Sequence, residues 1–182
     1  MDLVFDIRKA IAAAGYICKL NGGSFDMLRL IKAIYIAERA ALLEWHRPIT
    51  GDQFWSLEHG PIVSRIYDLI RDRIIGPERE AWTAVFNPRD RDTISLKGEV
   101  DTGPLSQREK DALANAFNKV KDLSIGQVID LVHALPEWKN PGKSALPINP
   151  RTIFYHENIG EEAVSKIEDD LNFFQAAKLA LQ

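Results

Sequence analysis

Among its 182 residues the chain has a single cysteine, Cys18. A lone cysteine excludes a disulfide framework and a cysteine-built zinc site within one chain. No stretch approaches the roughly 20 consecutive apolar residues that a membrane-spanning helix requires. An excess of basic charge is also missing. Lys and Arg number 23 against 26 Asp and Glu, a net charge of −3 with a pI of about 5.8, so no global field draws the chain toward nucleic acid or anionic lipid. The opening stretch MDLVFDIRKAIAAAGYICKL lacks the basic start of a secretory leader, and its apolar residues are interrupted at helical spacing. Together these absences predict a soluble, cytoplasmic protein with no membrane or specific nucleic-acid partner.

What is present is ample core material. Hydrophobic residues make up 46% and charged residues 27% of the chain, and a chain of this length buries roughly 70% of its unfolded surface. Internal repeats and low-complexity tracts are absent, and the expectation is one domain over residues 1–182.

Ile7, Ile11, Ala14 and Cys18 fall at helical spacing, and the NGG at 21–23 ends that helix. Ser24 reads as the N-cap of a second helix, with Asp26 in its first turn. This helix carries Leu28, Ile31, Tyr35, Leu42 and Trp45 on one face and stops at Arg47-Pro48. QFWSLE reads as extended. Pro61 reads as the first residue of a third helix lasting to about Ile74, closed by Gly76-Pro77. Residues 81–98 place β-formers on both sides of the polar NPRDR and predict a hairpin. SQRE at 106–109 and SIGQ at 124–127 are capping boxes. The first opens a helix burying Leu113, Ala116, Phe117 and Val120, and the second a short helix through Val132. A Pro-rich loop follows, then a last helix from about Glu161 to Leu181 that buries Val164, Ile167, Leu171 and Phe174. The expected class is mainly α (α+β), a helical domain with one small β element.

The chemistry-bearing residues are scattered. His46, His59, His133 and His156 lack the close spacing of a local metal motif, so a metal site would have to assemble across the fold with acids such as Glu38 or Asp130. Ser56 and Ser64 flank His59, but no Gly-x-Ser-x-Gly elbow is present. Cys18 reads as a core thiol. NGGS lacks the lysine and preceding strand of a phosphate loop. The helix after Ser124 offers no basic side chain for reading bases in a groove. The expectation is neither catalytic set nor metal nor cofactor.

The stretch IYIAERAALLEWHRPITGDQFWSLEHGPIVSRIYDLI brings Arg39, Arg47-Pro48-Ile49-Thr50-Gly51-Asp52, the aromatic Phe54, His59-Gly60-Pro61 and Tyr67-Asp68 into one ordered set. Downstream come a Leu-Ser at 123–124, a Leu-x-His at 131–133 and a Pro-x-Trp at 136–138. The combination resembles the Panacea domain, the family of SocA-like antitoxins also described as phage-associated proteins. The likeness is strongest over 25–140, with the 161–181 helix expected to pack on that part. Two positions depart from the family pattern: Val63 stands where a proline is common, and Trp45-His46 replace a Tyr-Gly ahead of RPIT. The resemblance implies a toxin–antitoxin system, in which the chain binds and neutralises a protein toxin encoded by an adjacent gene. Some members act as adaptors that deliver the toxin to a protease. A phage or mobile-element enzyme, its histidines and acids converging only in three dimensions, is the alternative.

The motif residues read as scaffold rather than as partner contacts. Pro48 and Pro61 fix φ, Gly51 and Gly60 permit tight backbone, Asp52 is placed to bond local N–H groups, and His59 is expected to bond a carbonyl or carboxylate. For the partner, the expected face combines the Phe54-Trp55 segment with the 81–98 hairpin, its anchors being Trp55, Trp82, Arg89 and Arg91.

Overall fold

A computed structural model describes residues 1–180, so Leu181 of the expected last helix lies outside the described residues. The fold is mainly α with two small antiparallel sheets. No helix among the described residues is long and apolar enough to cross a membrane.

Asp6 caps helix α1 (Ile7–Leu20) by accepting from the amides of Arg8 and Lys9. A nearly continuous set of small residues, Ala10, Ala12, Ala13 and Ala14, is buried together with Ile17 and Cys18. Ile7 and Ile11 are only half-buried. The next element departs from the expectation. Ser24–Asp26 forms strand β1, not a helix start, and the N-cap role passes to Asp26, which accepts from the Arg29 amide at 2.9 Å. The strand directs Phe25 into the core against Phe117, ring centroids 5.3 Å apart, a burial that outweighs the local cap at Ser24.

Helix α2 (Met27–Trp45) is the centre of the molecule, buried on most of its circumference and packed most extensively on α5 (Gln107–Val120). His46 ends α2 in the left-handed region, φ 60°, at the position where the family pattern carries glycine. Strand β2 (Phe54–Leu57) then turns through Glu58 and His59 into β3 (Gly60–Val63). Pro61 is therefore not the first residue of a helix. It sits opposite Ser56 on β3, an edge strand in the sheet order β3-β2-β5, and an edge tolerates a missing N–H. Helix α3 (Ser64–Ile70) starts later and ends earlier than expected, with Asp72 left-handed at φ 55°.

Proline at the first helical position occurs instead at Pro77. After Gly76 at φ 89° it opens α4 (Pro77–Val85). The expected 81–98 hairpin is thus half helix, because Pro77 and the acidic Glu78 and Glu80 in the first turn favour α4. Of its two arms only Thr93–Ser95 is a strand, β4, and it pairs with β1. Both capping boxes form, at α5 and at α6 (Ile125–His133). The Pro-rich loop contains β5 (Leu146–Ile148), which pairs with β2, and then α7 (Pro150–His156), capped by Asn149 with Pro150 in its first turn. Helix α8 (Glu161–Ala180) buries Val164, Ile167 and Leu171. Phe174, expected in the core, is 45% exposed, with the Arg47 guanidinium 3.4 Å above its ring.

Candidate functional site

The motif residues organise three polar knots around α2. In the first, Glu38 is fully buried and accepts from the amides of Ile49 and Thr50, each at 2.7 Å, and from the Thr50 hydroxyl. No cation pairs with it among the described residues. Burial pushes its carboxyl up to about 7, against the opposing pull of the bonds from Thr50 and Ile49. Two residues after Thr50, Asp52 accepts from Gln53 at 2.7 Å and from Arg65 and Ile66 at 2.9 Å. It thereby caps α3 from a distance, since Val63, at the N-cap position, contributes no side-chain bond. Burial raises the Asp52 carboxyl to about 6, and those backbone bonds restrain the rise. Gly51 between them has φ 71°, and a Cβ there would lie 2.0 Å from the Val4 carbonyl oxygen. The N-terminal segment therefore lies directly on this turn, tied by the Asp6 amide donating to the Thr50 carbonyl at 2.8 Å.

The second knot crosses the chain. Glu137 Oε1 accepts from the Tyr35 hydroxyl at 2.8 Å and from Arg39 Nε at 2.9 Å. Arg39 also donates to Glu157 at 2.7 Å, so it links α2 to the loop after α6 and to the end of α7. Burial, with the Glu137 charge behind it, holds the Tyr35 hydroxyl well above its usual range.

The third knot joins the two halves of the family motif. His133 Nε2 contacts the Glu58 carbonyl at 3.1 Å and Trp138 Nε1 donates to the Leu57 carbonyl at 3.0 Å. The two rings stack at 3.7 Å with 10° between their planes. Leu-x-His and Pro-x-Trp thus grip the β2–β3 turn from one side. From α2, the Lys32 ammonium donates to the Pro61 carbonyl at 2.7 Å. Gly60, φ 96°, lets α6 approach, for a Cβ there would lie 2.4 Å from Val132 Cγ2. His59 does not behave as expected. Its side chain projects from the turn, exposed and without a hydrogen-bond partner among the described residues, and the imidazole that holds a carbonyl is that of His133.

The remaining motif and partner candidates separate into inside and outside. Phe54 is 2% and Trp82 4% exposed, the latter stacked on Phe86, so neither can anchor a partner on the folded surface. The alternation of β2 turns Phe54 inward and leaves Trp55 half-buried opposite Ile62 and Pro147. Arg89 and Arg91 are at the surface in the turn before β4, with Arg89 paired to Asp92 at 3.6 Å. Tyr67 lies beneath the guanidinium groups of Arg71 and Arg73, and Asp68 pairs with Arg73 at 3.6 Å. Arg47 and Pro48 border a groove with the N-terminal segment and α8. Burial pushes the Cys18 thiol up to about 12. Among the described residues no group of three or more His, Cys, Asp or Glu side chains is arranged to hold a metal ion.

Two of the polar residues at the centre of these knots, Lys32 and Glu137, are not among the sequence candidates. Lys32 stands four residues after Leu28 and three before Tyr35, a lysine on an apolar stripe. Glu137 is the middle residue of the Pro-x-Trp. A family model described as antitoxin SocA-like, Panacea domain, matches residues 30–139, more than half of the chain. No curated protein and no solved structure matches it.

Proposed function

We propose, because the chain belongs to the antitoxin SocA-like, Panacea domain family, that it neutralises a cognate protein toxin by binding it directly. The family match carries this reading. The placement of the motif supports a non-enzymatic role for it, because Glu38, Asp52, Tyr35 and Arg39 are consumed by internal bonds. These residues build a rigid frame, and the toxin contacts side chains outside it. With Phe54 and Trp82 buried, the surface left from the expected face is Trp55 with Arg89 and Arg91. Aromatic and arginine anchors are the residue types that concentrate binding energy.

Co-expression with the product of the adjacent gene tests this. That product should arrest growth alone and be tolerated with this chain. Trp55→Ala, or Arg89→Glu with Arg91→Glu, should weaken protection at an unchanged melting temperature, and full protection by both folded variants rejects this face. Delivery to a protease is the finer form of the proposal. The toxin's half-life in the cell would then fall when this chain is present, whereas occlusion alone leaves it unchanged or longer.

A further inference from the structure

A cavity of about 470 Å³ lies between the N-terminal part of α2, the β2–β3 turn, α3 and residues 142–144. This is within the size range of small-molecule sites. Its apolar wall is formed by Met27, Leu28, Ile31, Leu57, Ile62 and Tyr67, and charged and polar side chains make up the rest of the lining. Lys32, 2% exposed, is the buried charge-bearing group in that lining.

As scaffold alone this lysine is expensive. A single hydrogen bond to the Pro61 carbonyl does not offset the desolvation of an ammonium. No carboxylate pairs with it among the described residues. Burial accordingly pushes its amine down to about 7. Donors remain on the ammonium beyond the one given to Pro61.

The charged groups around the rim favour one sign of ligand. Asp26 is bonded to the Arg29 amide and lies 3.7 Å from its guanidinium, and Asp92 is paired with Arg89 at 3.6 Å. Arg71 and Lys143 have no carboxylate partner among the described residues, although Arg71 lies near the Tyr67 ring. Glu58 is the wall carboxylate that likewise lacks a cationic partner among them. Among the described residues the groups without a partner of opposite charge are therefore Lys32, Arg71 and Lys143 against Glu58, with the unbonded His59 imidazole beside them.

We infer that this cavity is a binding site for a small amphipathic organic anion, its apolar body on the α2 and β2–β3 walls and its carboxylate or comparable group at Lys32. This goes beyond the antitoxin reading and does not depend on it.

Isothermal titration of the full chain with decanoate, decan-1-ol and decylamine tests the inference. Decanoate should bind at a single site and about tenfold or more tightly than the alcohol or the amine, the advantage of a charge-assisted hydrogen bond. Lys32→Met should erase the preference for decanoate over decan-1-ol. Arg71→Ala with Lys143→Ala should reduce it, and Leu28→Trp, which fills the cavity, should remove binding of both. Equal affinity for decanoate and decan-1-ol overturns the inference, as does a full preference in Lys32→Met. If Lys32→Met does not fold, undiminished decanoate binding by both the rim double variant and Leu28→Trp overturns it equally.

Discussion

At the scale of single residues, the molecule places the Glu38 and Asp52 carboxyl groups where water cannot reach them and satisfies them chiefly with backbone amides. Glu38 is the clearest case, and its consequence is a pH dependence whose sign can be worked out. An unfolded glutamate titrates near 4.5, and in the fold this one is pushed up to about 7. Between those values the native state binds more protons than the unfolded state, so its contribution is fully present below about pH 4.5 and is lost as pH rises through about 7. Unfolding free energies of wild type and Glu38→Gln, measured by urea from pH 4.5 to 8, should show a difference that falls by about 1–3 kcal/mol across the window and then levels. A difference independent of pH would mean that the carboxyl ionises as it does in water. His46 offers a second residue-scale test. It holds φ 60° where the family pattern has glycine, a conformation that disfavours a Cβ. Glycine there should exceed alanine in stability by about 1 kcal/mol, read from paired melts of His46→Gly and His46→Ala. Equal melting temperatures would show that the turn relaxes without strain.

At the scale of elements, what the sequence revealed was what neighbouring residues decide. The capping boxes of α5 and α6 close within three residues, from Ser106 to Glu109 and from Ser124 to Gln127, and both form as read. Alternation over β2 was equally local and separated Phe54 from Trp55. The failures have distant causes. Ser24 looks like a cap until Ile94 pairs with Phe25 from far along the chain. Pro61 looks like a helix start until β2 claims β3, and AWTAV looks like strand until the helix opened by Pro77 runs through it. Glu137 and Lys32 could not be ranked, because Tyr35 and Pro61, their partners, are remote in sequence. The contact of β3 with α6 tests how tightly such pairings are set. A Cβ at Gly60 meets Val132 at 2.4 Å and φ is 96°, so Gly60→Ala should cost about 2–4 kcal/mol from overpacking and backbone strain together. Adding Val132→Ala makes room for the methyl but leaves the strain. The double variant should then be more stable than the sum of the single costs by about 1 kcal/mol. Strict additivity in denaturant melts would show that the elements do not touch as closely as the geometry requires.

At the scale of the whole molecule, the family-matched segment is enclosed by chain outside it. Ile148 of β5 sits opposite Phe54, so β2 is a central strand only because residues after 140 reach back to it. Ile153 and Phe154 of α7 are fully buried, and Val164 and Ile167 of α8 extend the same core. Polar ties run the same way. Arg39 holds Glu157, the N-terminal amine pairs with Glu168, and the Gln175 side chain donates to the Asp2 carbonyl at 3.0 Å. The N-terminal segment in turn lies on Gly51 in the middle of the motif. A fragment ending at residue 140 would uncover Phe54, take Ile153 and Phe154 out of the core and leave Arg39 with one carboxylate in place of two. Each large core side chain so uncovered forfeits about 1.5–3 kcal/mol, and a few such losses match the usual 5–15 kcal/mol of total stability. Residues 1–140 expressed alone should therefore lack a cooperative urea transition and show little near-ultraviolet dichroism, while the full chain unfolds in one step. A fragment that melts cooperatively near the full chain's midpoint would place a domain boundary after α6 and leave β5, α7 and α8 as an appendage to a self-sufficient core.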